Sequence, residues 1–197
     1  MNIVNRNLKF EKMDYRKEID LIVLHHAADS TCSLEDIHKW HMDKGWEGIG
    51  YHYFIAKDGT VFKGRPDTVV GAHCKGHNDK SIGVCMQGNF MVEHMSGIQY
   101  KSLEELIHEL CEKYKIKVIK KHKDLSSTQC PGINFPCVEI KGSAFKEIKQ
   151  SNMYKVKAGD TLWSIATKYN ISVSELKKNN EIQDNLIRKN QIIKIFK

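Results

Sequence analysis

Apolar positions along this chain fall into short runs of two kinds, continuous or alternating stretches and helical stripes. The run Ile19–Leu24 is dominated by aliphatic residues and predicts a strand covered on both faces. SLEDIHKWHMDKG then predicts a helix. Ser33 and Asp36 form a capping-box pattern, Lys44 sits late and Gly45 can close the end, while Leu34, Ile37, Trp40 and His41 share the side expected to pack on a sheet. YHYFIAKDGTVFKGR places two β-rich runs around Asp58-Gly59, a hairpin signal. The loop VVGAHCKGHNDKS, rich in Gly and polar residues, is expected outside the core, and SIGVCMQGNF predicts another buried strand. Ser102–Tyr114 predicts a second amphipathic helix, capped by Ser102 and Glu105, with Leu103, Leu106, Ile107, Leu110 and Tyr114 as its stripe. IKVIKKH is then a strand that delivers His122 at its end. Strands interleaved with helices give an α/β class, a mixed central β-sheet flanked by helices.

Between Pro131 and Met153 the pattern weakens, and a regular plan restarts at Tyr154. YKVKA predicts a strand, Asp160 or Thr161 caps a helix, Ser172 with Glu175 caps another, and IIKIF closes the module. The expected division is a domain at 1–148, a linker at 149–153 and a small βααβ domain at 154–197. A module of that size is near the limit for a lone core and suits one binding surface.

Composition changes this picture in three places. The 197 residues suit one ordinary domain plus a small module, and no apolar run approaches the roughly 20 residues that span a bilayer. Charge is uneven. Residues 1–150 carry 22 Lys/Arg against 20 Asp/Glu, and 151–197 carry 9 against 4, so the tail favours polyanions such as acidic wall polymers, anionic lipid or nucleic acid. Its lysines form no stripe and few aromatics accompany them, which argues against nucleic acid as the partner. Six cysteines lack the paired spacing of a disulfide scaffold and are expected as reduced thiols. The N-terminus has no apolar core of a secretory signal, so the expectation is a protein made in the cytoplasm.

The candidate chemistry gathers at KHKDLSSTQCPG. His122 and Cys130 offer an imidazole and a thiol eight positions apart, with the Thr128 hydroxyl between them. These are parts of a catalytic zinc site, where three protein ligands hold the metal and one position stays open. The third ligand is expected at the end of IDLIVLHH, from His25 or its neighbour His26. Tyr51 could bring a phenol to the metal as an electrophilic or acid-base group, and His73, His77 and Asn78 could line a cleft.

VLHHAADS, GIGYHYFIAKDGTVFKGR, GAHCKGHNDKSIGVCMQGNF and HKDLSSTQCPG, in this order over residues 20–136, resemble the zinc-dependent N-acetylmuramoyl-L-alanine amidases of the phage lysozyme and peptidoglycan recognition protein type. The resemblance implies cleavage between N-acetylmuramic acid and the L-alanine of the stem peptide. It makes His25, His122 and Cys130 the zinc ligands, Tyr51 a catalytic hydroxyl, and Thr128 the counterpart of a position held by Lys or Thr in the family. His26 then falls to packing or to the substrate side with His73, His77 and Asn78. The tail, YKVKAGDTLWSIATKYNISVSELKKNN with NQIIKI, resembles a LysM module, which implies recognition of N-acetylglucosamine-containing glycan. Asp160, Thr161, Leu162 and Ile187 are its candidate contacts, and Leu162, Trp163 and Ile165 are also readable as core. Lys189-Asn190-Gln191 stands where that family usually has Pro-Gly-Gln. The whole reads as a bacteriolytic endolysin of a phage or prophage, acting at the cell wall after release. The alternative is a peptidoglycan receptor that has lost hydrolysis, and the presence of Cys130 argues against it.

Overall fold

In a computed structural model, residues 2–136, 153–169, 171–180 and 182–195 are described, and the chain divides into two units, Met1–Val138 and Glu139–Lys197. The first unit is built on one sheet of six strands: β1 (Ile3–Asn5), β2 (Leu21–His26), β3 (Tyr53–Ile55), β4 (Val61–Lys63), β5 (Ser81–Met86) and β6 (Val118–Lys121). Their order is β1-β4-β3-β5-β2-β6. Only β3 and β4, joined by the Asp58-Gly59 turn, pair antiparallel. The other pairings are parallel. β2 and β5 are adjacent interior strands and are buried along all six residues of each, which is why both read as near-continuous apolar runs.

The first helix, α1 (Leu34–Asp43), starts at Ser33, whose hydroxyl accepts from the Asp36 N–H while the Asp36 carboxylate accepts from Ser33. Leu34, Ile37 and His41 are buried on it, but Trp40, expected on the same face, is 40 % exposed. Trp40 falls about 100° of helical rotation from its neighbour His41, far enough to leave the contact stripe. The second helix, α2 (Gly97–Tyr114), begins at Ser96 rather than Ser102. Ser96 accepts from the Gln99 N–H, and the Ser102 hydroxyl instead donates to the Gly59 carbonyl in the hairpin turn. The extra turn adds Tyr100 to the buried stripe. It also inserts Gln99, whose side-chain amide donates to the Ile55 and Gln87 carbonyls at the ends of β3 and β5.

Two further expectations change. β1 is an additional edge strand, paired with β4. The loop after β4 is not all outside the core, since Val69, His73 and Cys74 are buried. Its polar backbone is satisfied from within: Asn78 Oδ1 accepts from the N–H groups of His73 (2.9 Å) and Cys74 (2.8 Å). Cys32, Cys74, Cys85, Cys111 and Cys130 are free thiols, as expected, and Cys137 lies outside the described residues.

The second unit pairs β7 (Met153–Lys155) antiparallel with β8 (Ile192–Lys194) and carries α3 (Leu162–Lys168) and α4 (Val173–Asn179). Its core is Tyr154, Val156, Leu162, Ile165, Ala166, Ile171, Leu176 and Ile193. Trp163, which also read as core, is 70 % exposed. In the turn before β8, Asn190 adopts φ 69, a left-handed conformation that Asn tolerates better than other non-glycine residues, and so stands in for the usual Gly. Of the proposed linker 149–153, only the backbone of Met153 is among the described residues.

Candidate active site

The register of the sheet builds the site. β6 pairs with β2 in parallel so that Leu24 lies opposite Lys121. The next residue on each strand is therefore His25 and His122, and their rings stand 4.5 Å apart, centroid to centroid. After β6 a short 3-10 turn, His122–Asp124, reverses the chain, and the loop closes on itself: Lys123 N–H donates to the Cys130 carbonyl (2.8 Å) and Cys130 N–H to the Thr128 hydroxyl (3.2 Å). This returns the thiol to the strand ends. Gly132 makes the return possible, because a Cβ there would lie 2.4 Å from the Phe90 carbonyl carbon.

One ligand atom from each of His25, His122 and Cys130 then falls within 4.8 Å of the others. Cys130 Sγ lies 3.7 Å from His25 Nδ1. Ideal tetrahedral zinc bonds of about 2.0 Å to nitrogen and 2.3 Å to sulfur would separate two such atoms by about 3.5 Å. The donor set fits zinc, and the Cys130–His25 separation is close to that spacing. Burial, with like charge from neighbouring histidines, holds the His25 pKa well below the ordinary imidazole range, so it is neutral as a ligand must be. Burial pushes the Cys130 thiol up to about 11, against a lowering contribution from the His26 N–H, which donates to Sγ at 3.5 Å. That thiol would have to lose its proton on metal uptake.

Tyr51, just before β3, places its ring 5.0 Å from that of His25 and 5.6 Å from that of His41. Its hydroxyl donates a hydrogen bond to the Cys85 sulfur, and burial raises its pKa well above that of a free phenol. The phenol therefore keeps its proton at neutral pH. Thr128 is half-buried on the ligand loop with its oxygen accepting from Cys130 N–H.

The remaining nominees part company. His73 is 8 % exposed and its Nδ1 lies 3.0 Å from His25 Nε2. His26 faces the other way from His25, as neighbours on a strand do, accepting from the Phe90 N–H (3.1 Å) and stacking on that ring. Asn78 braces the loop as described above. His77 borders a separate hollow of about 530 Å³ with Asp20, Lys117 and Lys120, which none of the three candidate ligands lines. In the second unit the Asp160 carboxylate accepts from Tyr154 Oη (2.7 Å) and Lys157 N–H (2.6 Å), Thr161 caps α3, Leu162 is buried and Ile187 packs on the core. Sequence reasoning missed His41 and Cys85 as neighbours of Tyr51. The signal for His41 was its place on the buried stripe of α1; a thiol inside a β-rich run gives none.

Residues 15–133 match the family described as N-acetylmuramoyl-L-alanine amidase, and residues 154–196 match the LysM domain. The chain belongs to the N-acetylmuramoyl-L-alanine amidase family. It is 34 % identical over 127 residues to the endolysin of Escherichia phage T7, covering 60 % of this chain and 84 % of that protein. It is 35 % identical over 124 residues to peptidoglycan-recognition protein SC2 of Drosophila melanogaster, covering 57 % and 67 %. Among solved structures, N-acetylmuramoyl-L-alanine amidase LysC from Clostridium intestinale superposes with a TM-score of 0.69 at 39 % identity, covering 76 % of this chain and 96 % of that one.

Proposed function

We propose that this amidase is a zinc-dependent endolysin, in which His25, His122 and Cys130 hold one zinc and the enzyme hydrolyses the bond between N-acetylmuramic acid and L-alanine in peptidoglycan. One observation carries the reading: three side chains of the right chemistry, two of them 105 positions apart, bring their ligand atoms within 4.8 Å of one another, close enough to share one ion. A zinc bound there supplies Lewis acidity toward the amide carbonyl and makes water a competent nucleophile near neutral pH.

The chain's own residues account for the rest. In the reaction a water oxygen adds to the lactyl carbonyl carbon, the bond to the L-alanine nitrogen breaks, and that nitrogen takes a proton. Tyr51, protonated and beside His25, turns its hydroxyl from Cys85 to donate to the oxyanion as it forms. Thr128 projects from the ligand loop, and among the described residues nothing takes its hydroxyl proton, which leaves it free to hold substrate or water. Neutral His41, its pKa brought down to about 4 by burial and then by Lys44 and Arg65, supports the Tyr51 ring. The LysM unit is assigned to wall glycan, raising the effective concentration of enzyme at a solid substrate. Its nominated contacts Asp160, Thr161, Leu162 and Ile187 act by shaping that surface. No helix among the described residues is long and apolar enough to cross a membrane.

A receptor without hydrolysis would be expected to lack a ligand, and none is missing. Digestion of purified peptidoglycan tests the reading. The products expected are stem peptides with a free L-alanine amine and glycan strands with free lactyl carboxylates. New reducing sugar ends, or free D-amino groups, would assign a different bond and refute it.

A further inference from the structure

We propose that His73 is a positioning residue, which fixes the face that His25 presents to the metal; the proposal rests on the zinc reading above. The two ring nitrogens of His25 point at different partners. Nδ1 faces Cys130 Sγ at 3.7 Å, and Nε2 lies 3.0 Å from His73 Nδ1. A neutral imidazole carries one proton, so a metal held at Nδ1 places that proton on Nε2, where the neighbour must accept it. His73 accepts at Nδ1 only with its own proton on Nε2, and that atom lies 3.4 Å from the Ser81 hydroxyl oxygen. Ser81 has committed its proton to the His77 carbonyl at 2.6 Å, which leaves its oxygen to accept. Donor and acceptor therefore alternate without conflict from His25 through His73 and Ser81 to a backbone carbonyl. The chain has one consistent direction, and it is the direction that frees His25 Nδ1 for metal.

The His73 ring has almost no room to leave this line. Gly71 and Gly83 form a slot around it, and a Cβ on either would lie 2.5 Å from the ring's Cδ2. The backbone under the ring is pinned by Asn78, through the N–H groups of His73 and Cys74. Both ring nitrogens are thus used inside the protein. His73 acts through His25 and leaves substrate contact to other residues, which separates it from the cleft role its place on a polar loop suggested.

Outer partners of this kind set ligand orientation, and their loss weakens metal binding by about 10- to 100-fold. In the 197-residue chain, His73→Leu removes the acceptor, and His73→Asn returns an amide oxygen near the position of Nδ1. Competition with a chromophoric zinc chelator, alongside circular dichroism of each variant, should give a dissociation constant raised about 10- to 100-fold for His73→Leu and largely recovered in His73→Asn. A folded His73→Leu with wild-type zinc affinity overturns the proposal. Should that variant not fold, long-range ¹H–¹⁵N spectra of the zinc-loaded wild type decide. A neutral His73 with its proton on Nε2, beside a His25 also protonated at Nε2, is the expected result, and a His73 protonated on Nδ1 overturns this proposal alone. A wild-type chain that takes up no zinc overturns the zinc reading and this one with it.

Discussion

Around the strand ends, burial sets the protonation of nearly every group. His25 and His52 are held well below the ordinary imidazole range by desolvation, and His73 is brought down to about 3 by the same cause, while Tyr51 is driven up. The site thus offers neutral nitrogen donors and a protonated phenol over the whole neutral range. Tyr51→Phe removes a donor and no ligand. We expect its zinc content to equal that of wild type and its turnover to fall by about 100-fold or more, with little change in KM; an unaltered rate in a steady-state assay on soluble muropeptide would remove Tyr51 from the mechanism. His25 and His122 were legible because each sits at the end of a β-rich run, Cys130 because it follows His122 by eight positions, and the choice of His25 over His26 came from the family resemblance. His73 was not, because its burial depends on two glycines, one of them ten positions further on in β5, which leave a slot only once the sheet has formed.

At the level of elements, one carboxylate ties together segments that the sequence keeps apart. Asp67 accepts from Tyr53 Oη on β3 (2.8 Å) and from Lys63 on β4. On α2 it accepts from Tyr114 Oη (2.7 Å) and Lys113 (3.2 Å), while its carbonyl accepts from Arg16 (2.6 Å). Burial alone would raise its pKa, but the charge of Lys63 and the hydrogen bonds from Lys63, Tyr114 and Tyr53 outweigh it and hold the carboxyl well below the usual range. A depressed folded pKa contributes stability that is present above the unfolded value of about 3.9 and is lost as pH falls through the folded one. Asp67→Asn should therefore destabilise the protein by about 3 kcal/mol at pH 7, with the gap from wild type narrowing below about pH 4 in urea titrations. A gap that stays constant down to pH 2 would mean that charge is not the source. The helices and the hairpin were readable from caps and turn residues, which act within a few positions. The true start of α2 was not, because Gly97 resembles a breaker and Gln99 earns its buried place only through carbonyls on β3 and β5.

At the scale of the whole molecule, the chain joins a hydrolytic unit to a small basic one with a core of its own. Leu176 is fully buried in that second core. Truncating a buried Leu to Ala costs about 2–5 kcal/mol, which is comparable with all the stability so small a core can supply. Leu176→Ala should abolish retention on insoluble wall in a pull-down while leaving cleavage of a small soluble muropeptide unchanged. Equal losses in both assays would show that the unit serves catalysis directly. The central claim concerns a single ion, and metal content measured together with activity on one sample tests it most directly. Protein stripped by a chelator and titrated with zinc should regain peptidoglycan hydrolysis in proportion to metal and saturate at one zinc per chain, and Cys130→Ser should regain neither. Full hydrolysis by the stripped protein, with zinc absent from the same sample, would contradict the account.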